Sequence, residues 1–146
     1  MILLRLCLCL LPFHSSLVAE YTPLSLTRVS GLSFGSITRL SPRPGAAGSN
    51  GYSSRELIQS GDYGPARWRL IGEPYASISV SFPANGEVYL RSGEHAMAID
   101  DFKGTQTVAL DGNGEGFIST HATLKLGANQ EPGRYSAVYS VVVSYE

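Results

Sequence analysis

The sequence predicts an all-β sandwich, and three observations point that way. Apolar residues recur at alternate positions in short runs along most of the chain, the period of a strand with one buried face. Turn-forming residues separate those runs at roughly ten-residue spacing, the rhythm of a two-sheet antiparallel architecture. Sixteen Gly and eight Tyr fit a turn-rich β protein better than a helical one. The expected fold is an immunoglobulin-like β-sandwich of about seven to nine antiparallel strands, with the inner faces of the two sheets buried against each other.

The N terminus reads as a secretory signal. Met1 to Arg5 carries one positive charge, Leu6 to Phe13 is an apolar core, and the stretch from Ser15 ends on the small residue Ala19. Cleavage there gives residues 1–19 as signal peptide and residues 20–146 as a single domain. The apolar run is too short to cross a bilayer, so no transmembrane anchor is expected. Both cysteines, Cys7 and Cys9, lie inside the signal. The mature chain is therefore expected in the periplasm, on the cell surface or outside the cell, without a disulfide and held by core burial alone. With 16% charged residues and a formal net charge of -1, it has no basic surplus to draw it to nucleic acid.

The strand candidates follow in order. Leu32–Ile37 alternates Leu32 and Phe34 with Ser33 and Gly35. Ser41–Gly51, rich in Gly, Pro and Ala, reads as the most flexible loop. In Ser53–Gly61, Ser53 and Glu56 have the spacing of a capping box, so this is the best helix candidate, although a strand fits equally. Ala66–Gly72 sets Ala66, Trp68 and Leu70 against Arg67 and Arg69. Ser77–Phe82 groups Ile78, Val80 and Phe82. Pro83–Glu87 contains Asn-Gly, the preferred dipeptide of a tight hairpin turn. Glu87–Leu90, then Met97 with Ile99, then Val108 with Leu110, are shorter runs. Asp111–Gly116 is a strong turn, and Ala122, Leu124 and Leu126 alternate with Thr123 and Lys125. The last strand, Arg134–Glu146, puts Tyr135, Ala137, Tyr139, Val141, Val143 and Tyr145 on one apolar face.

No motif carries chemistry. Gly31–Gly35 fits the Gly-x-Ser-x-Gly pattern of a nucleophile elbow, but an elbow needs a helix after the serine; alternation continues through Ile37, so Ser33 reads as a strand residue. His95 and His121 pair with no carboxylate in a recognised order, and His121 reads as a surface residue at a strand end. Asp111, Asn113 and Glu115 resemble the opening of a calcium loop, yet Ala122 stands where a bidentate acid is required; a plain turn is expected, with weak calcium binding left open. Asp100 and Asp101 are adjacent in a strand and so point to opposite faces, poor geometry for acid–base work. Trp68, Tyr75 and Tyr89 could stack on sugars, but Trp68 falls on an apolar face. The reading is a non-enzymatic protein with no cofactor.

The ordered segments LSFGSI, PARWRLIGEP, SISVSFP, MAIDDF, LDGNGEG and the finish from Ala122 to Tyr145 resemble a bacterial family catalogued as the domain of unknown function DUF4402. The resemblance implies a secreted sandwich akin to chaperone–usher pilus subunits. Such subunits carry a penultimate tyrosine and a glycine about fourteen residues from the end. Tyr145 and Gly133 stand at those positions. They lack the last strand of their sandwich and fill the groove with a strand from a periplasmic chaperone, then from the next subunit. The resemblance makes Gly133, Tyr135, Tyr139, Val141, Val143 and Tyr145 candidates for the groove. Residues 20–30, with Leu24, Leu26 and Val29, are either a donor strand or the domain's first strand. Two departures stand out: the mature chain has no cysteine, and few residues precede Leu32. The leading expectation is a pilus-like surface subunit assembling with copies of itself or related subunits. The alternative is a self-complete secreted module that binds a carbohydrate or cell-surface ligand.

Overall fold

The computed structural model describes residues 22–146, which form eleven strands and no helix. The predicted signal, with Cys7 and Cys9, lies outside the described residues, as do Glu20 and Tyr21.

Alternation becomes a layer most plainly in β5 (Ala66–Ile71). Ala66, Trp68 and Leu70 are buried and Arg67, Arg69 and Ile71 are exposed, as period-two placement demands. In β6 (Ser77–Ser81) the same rule buries Ile78 and Val80 between serines. In β10 (Glu115–Leu126) it buries Gly116, Ile118, Thr120, Ala122 and Leu124.

These strands build two antiparallel sheets and a separate two-stranded pair. The larger sheet runs β1 (Ser25–Ser30), β5, β10, β8 (His95–Gly104), β7 (Val88–Ser92), with β3 (Gly45–Gly48) beside the second half of β10. The smaller runs β11 (Val142–Tyr145), β6, β9 (Thr107–Ala109). β2 (Ser33–Arg39) and β4 (Leu57–Gly64) pair with each other. Two apolar clusters lie between the layers. One joins Trp68, Leu70 and Ile118 of the larger sheet to Ile78 and Val80 of the smaller. The other joins Val88, Met97, Ile99, Ala122 and Leu124 to Phe34 of β2. Leu70, Ile78, Ile118 and Leu124 are fully buried, each contributing about 1.5–3 kcal/mol relative to exposure. The architecture is an antiparallel β-sandwich.

The structure departs from the sequence reading in five places. Eleven strands form, not seven to nine, because the short β3 and β9 and the β2–β4 pair add to the main set. The helix candidate is a turn followed by β4; Leu57 packs into the fold while Ser53 joins Ala47 in an isolated bridge. The expected flexible loop contains β3, with Ala47, Gly48 and Ser49 buried. Its small residues mark close packing, since a Cβ at Gly45 would come 2.8 Å from the Leu57 side chain. Asn85-Gly86 is a turn, but β6 and β7 lie in different sheets, so it is a crossing between layers. The tight hairpin is at Gly93-Glu94, where Ser92 pairs with His95 and Gly93 takes a positive φ of 59°. Finally, His121 sits mid-strand in β10, half-buried, with no partner for Nδ1 among the described residues.

Candidate functional site

Of the strand expected over Arg134–Glu146, only Val142–Tyr145 forms one (β11), and among the described residues β6 is its one strand partner. Val142–Tyr145 lies antiparallel to β6, with Val142 opposite Ser81 and Tyr145 opposite Ile78. Pro83 follows Phe82 just past the end of β6 and has no N–H to donate, so the ladder stops there. Upstream, Ser136 exchanges two backbone hydrogen bonds with Arg91 of β7, at 2.8 and 3.1 Å. One extended segment thus spans the ends of both sheets.

Antiparallel geometry fixes which backbone groups remain. Opposed residues alternate between hydrogen-bonded and non-hydrogen-bonded pairs. The Glu146 N–H donates to Ser77 O at 3.0 Å, so the even positions Ser144 and Val142 also turn their backbone groups toward β6. Val143 turns its own to the opposite side, and the same alternation carried upstream would place those of Val141 and Tyr139 there too. Among the described residues no strand pairs with that outer edge.

The side chains of the same odd positions floor a groove. Tyr139, Val141, Val143 and Tyr145 pack half-buried on the first apolar cluster; Tyr135, Ala137 and again Tyr139 pack on the second. Tyr139 meets Trp68 edge-on, with centroids 6.2 Å apart and planes at 88°, a favoured aromatic geometry. Burial pushes its hydroxyl up to about 12, slightly offset by the positive charge of Arg28. A cavity of about 190 Å³ opens among Leu32, Phe34, Leu90, Ile99, Ala137 and Tyr139.

β1 forms the other wall. Its inner edge pairs with β5, Leu26 opposite Leu70, and Leu24 and Leu26 pack on the same cluster as Tyr139 to Tyr145. The penultimate tyrosine ties the two walls together at one end. Tyr145 Oη donates to Thr22 O at 2.6 Å and accepts the Glu73 N–H at 2.8 Å. The Glu73 carboxylate takes both the hydroxyl and the N–H of Thr22, at 2.6 and 3.2 Å, which holds its pKa below the ordinary value.

The structure packs Tyr139, Val141, Val143 and Tyr145 with Leu24 and Leu26 on one apolar cluster, and Tyr135 with Tyr139 on the other. Val29 is not among them: it is 61% exposed. Gly133 is exposed and stands next to Ser92, whose Oγ a Cβ would meet at 3.0 Å. Residues 25–30 occupy the place of the domain's first strand. Sequence reasoning missed the Ser136–Arg91 bridge and the Tyr145 clasp. Pro83 was the one available signal that β6 would stop short of the terminal segment.

The remaining candidates are engaged structurally. Ser33 begins β2 and its Oγ donates to Asp62 O at 2.5 Å. Asp111 Oδ1 accepts the N–H groups of Asn113 and Glu115, both at 2.8 Å, and Glu115 grips Arg69 with both oxygens at 2.7 and 2.8 Å. No group of three His, Cys, Asp or Glu among the described residues could hold a metal ion. Asp100 and Asp101 are not at a strand end: Asp100 pairs with Thr123, and Asp101 with Phe102 forms a bulge opposite Ala122. Asp101 takes a φ of 55°, its N–H donates to Asn85 Oδ1 at 2.8 Å, and Asp100 Oδ1 accepts the Gly86 N–H at 2.9 Å. Trp68 is in the core, 8% exposed, whereas Tyr75 is 80% exposed.

Comparison with protein families gives a match to the model of the family described as Domain of unknown function (DUF4402), over residues 24–145. No curated protein and no solved structure matches the chain.

Proposed function

The chain belongs to this family of domains of unknown function, and we propose that it serves as an exported, non-enzymatic structural subunit of a pilus-like surface assembly, built by donor-strand addition. The observation that carries the reading is the outer edge of the segment from Tyr139 to Val143, where no strand among the described residues pairs, beside β1 and above an apolar floor. An extended segment laid there would satisfy the outward N–H and C=O groups of Tyr139, Val141 and Val143. Its alternate side chains would cover the half-buried row beneath. The 190 Å³ cavity offers space for one inward side chain.

Ser25–Ser30 is already engaged with β5. In this reading the added strand comes from another chain, a copy of this protein or a related subunit. Before assembly, a periplasmic chaperone strand would shield the edge, because exposed edges with apolar floors aggregate. For residues 20–30 to act as donor in a neighbour, they would first have to leave β5.

A benzophenone side chain placed at Val142, exposed beside the open edge, tests this on producing cells. Irradiation is expected to give a ladder of covalent species at multiples of a subunit mass. Monomer alone under the same illumination would return the reading to a self-complete secreted module.

A further inference from the structure

A second concave site lies away from the groove. A cleft of about 410 Å³ opens where the end of β1 meets the β4–β5 connection, bounded chiefly by Val29, Ser30, Asp62, Tyr63, Pro65 and Arg67. Its volume is that of a small-ligand site. Two short ties hold its walls: Ser30 Oγ donates to Pro65 O at 3.3 Å, and Ser33 Oγ donates to Asp62 O.

Tyr63 is presented in a fixed way. The ring lies against Gly51, whose φ is 85°, and a Cβ there would come 2.7 Å from ring carbon Cε2. A glycine is thus required on two counts, conformation and space. With that side backed by bare main chain, Tyr63 still keeps 44% exposure, and Val29 beside it keeps 61%. Two exposed apolar groups share the cleft with the Asp62 carboxylate and the Arg67 guanidinium. Neither charge has a hydrogen bond or ion pair from its side chain among the described residues.

We infer that this cleft binds a neutral sugar ring, such as the terminal hexose of a glycan. An anion would meet Asp62 and a cation would meet Arg67. A wholly apolar ligand would strip water from both charges without replacing its hydrogen bonds, which is costly. A pyranose has what the cleft lacks on each side: a C–H face to lie on Tyr63 and Val29, and hydroxyls that donate to Asp62 and accept from Arg67. The site is separate from the groove, in which Val29 and Tyr63 take no part, and it requires β1 to stay on β5, since Val29 and Ser30 line the cleft.

Saturation-transfer NMR with a panel of methyl glycosides of neutral hexoses, N-acetylhexosamines and acidic sugars tests the inference on the full mature chain. At least one neutral glycoside is expected to receive saturation, with a Kd in the millimolar range. Tyr63→Ala should weaken it by about tenfold or more, Tyr63→Phe should retain it, and Arg67→Gln should weaken it independently. Tyr75→Ala, an exposed tyrosine outside the cleft, should leave it unchanged. Transfer to no neutral glycoside overturns the inference. So does a signal confined to acidic sugars, or one that survives both Tyr63→Ala and Arg67→Gln.

Discussion

Tyr145→Phe removes one oxygen and with it the two hydrogen bonds that the hydroxyl makes to described residues. The hydroxyl donates to Thr22 O and accepts from the Glu73 N–H, so it joins the terminal strand to the start of β1 and to the turn after β5. A net hydrogen bond contributes about 0.5–1.5 kcal/mol, and an orphaned group in a part-buried site lies toward the upper end. The variant should therefore lose about 2 kcal/mol. For a domain of this size each kcal/mol shifts Tm by roughly 3–5 °C, so the expected fall is about 6–10 °C. Thermal unfolding followed by circular dichroism reads it. Tyr135→Phe is the control, with the same atom removed. The Tyr135 hydroxyl donates to Glu131 O and accepts from Gln130, partners in its own loop that can turn to water when it is lost, so its loss should cost about 1 kcal/mol, the low end for two bonds. Equal shifts in the two variants would refute the claim that Tyr145 clasps two walls together.

Three further outcomes follow from the geometry. Gly114→Ala should destabilise by about 3 kcal/mol or more in urea, because its φ is 74° and an added Cβ would collide with the Gly72 carbonyl. The Arg69 hydrogen bond holds Glu115 below the ordinary carboxylate value. Its stabilising effect is present above that ordinary value and lost as acid takes the pH through the lowered one, so Glu115→Gln should flatten the acid limb of urea midpoint against pH. Tyr139 has the opposite sign: with its hydroxyl raised to about 12, its contribution is complete below the ordinary tyrosine value and lost as pH rises toward that figure. Tyr139→Phe should accordingly shallow the alkaline limb.

Much of the core could be read before the structure was seen. Ala66, Trp68, Leu70, Ile78, Val80, Met97, Ile99 and Leu124 all sit where alternation placed them, because a strand's side-chain period is a local property. What alternation cannot carry is which strand lies beside which. Asn85-Gly86 has the composition of a hairpin, yet the chain uses it to change sheets, a choice made by distant packing. Ser41–Gly51 looked loose because Gly and Ala are common in loops. Here they allow β3 to lie close against Leu57 and β10. The bulge at Asp101 turned an apparently exposed acidic pair into a support for the Asn85 turn. The apolar face of the terminal segment was plain from Tyr135 to Tyr145. The identity of its open edge was not, since that depends on β6 ending at Ser81, just before Pro83, and on β1 standing on β5.

Residue-resolved amide hydrogen exchange on the terminal segment tests the open edge most directly, measured on the isolated protein and on surface assemblies dissolved after exchange. The isolated protein should protect the amides of Val142 and Ser144 and leave those of Val141 and Val143 exchanging at close to unprotected rates. In the assembly all four should be slow. Equal protection of the four amides in the isolated protein, or fast exchange of Val141 and Val143 in the assembly, would contradict strand addition at this groove.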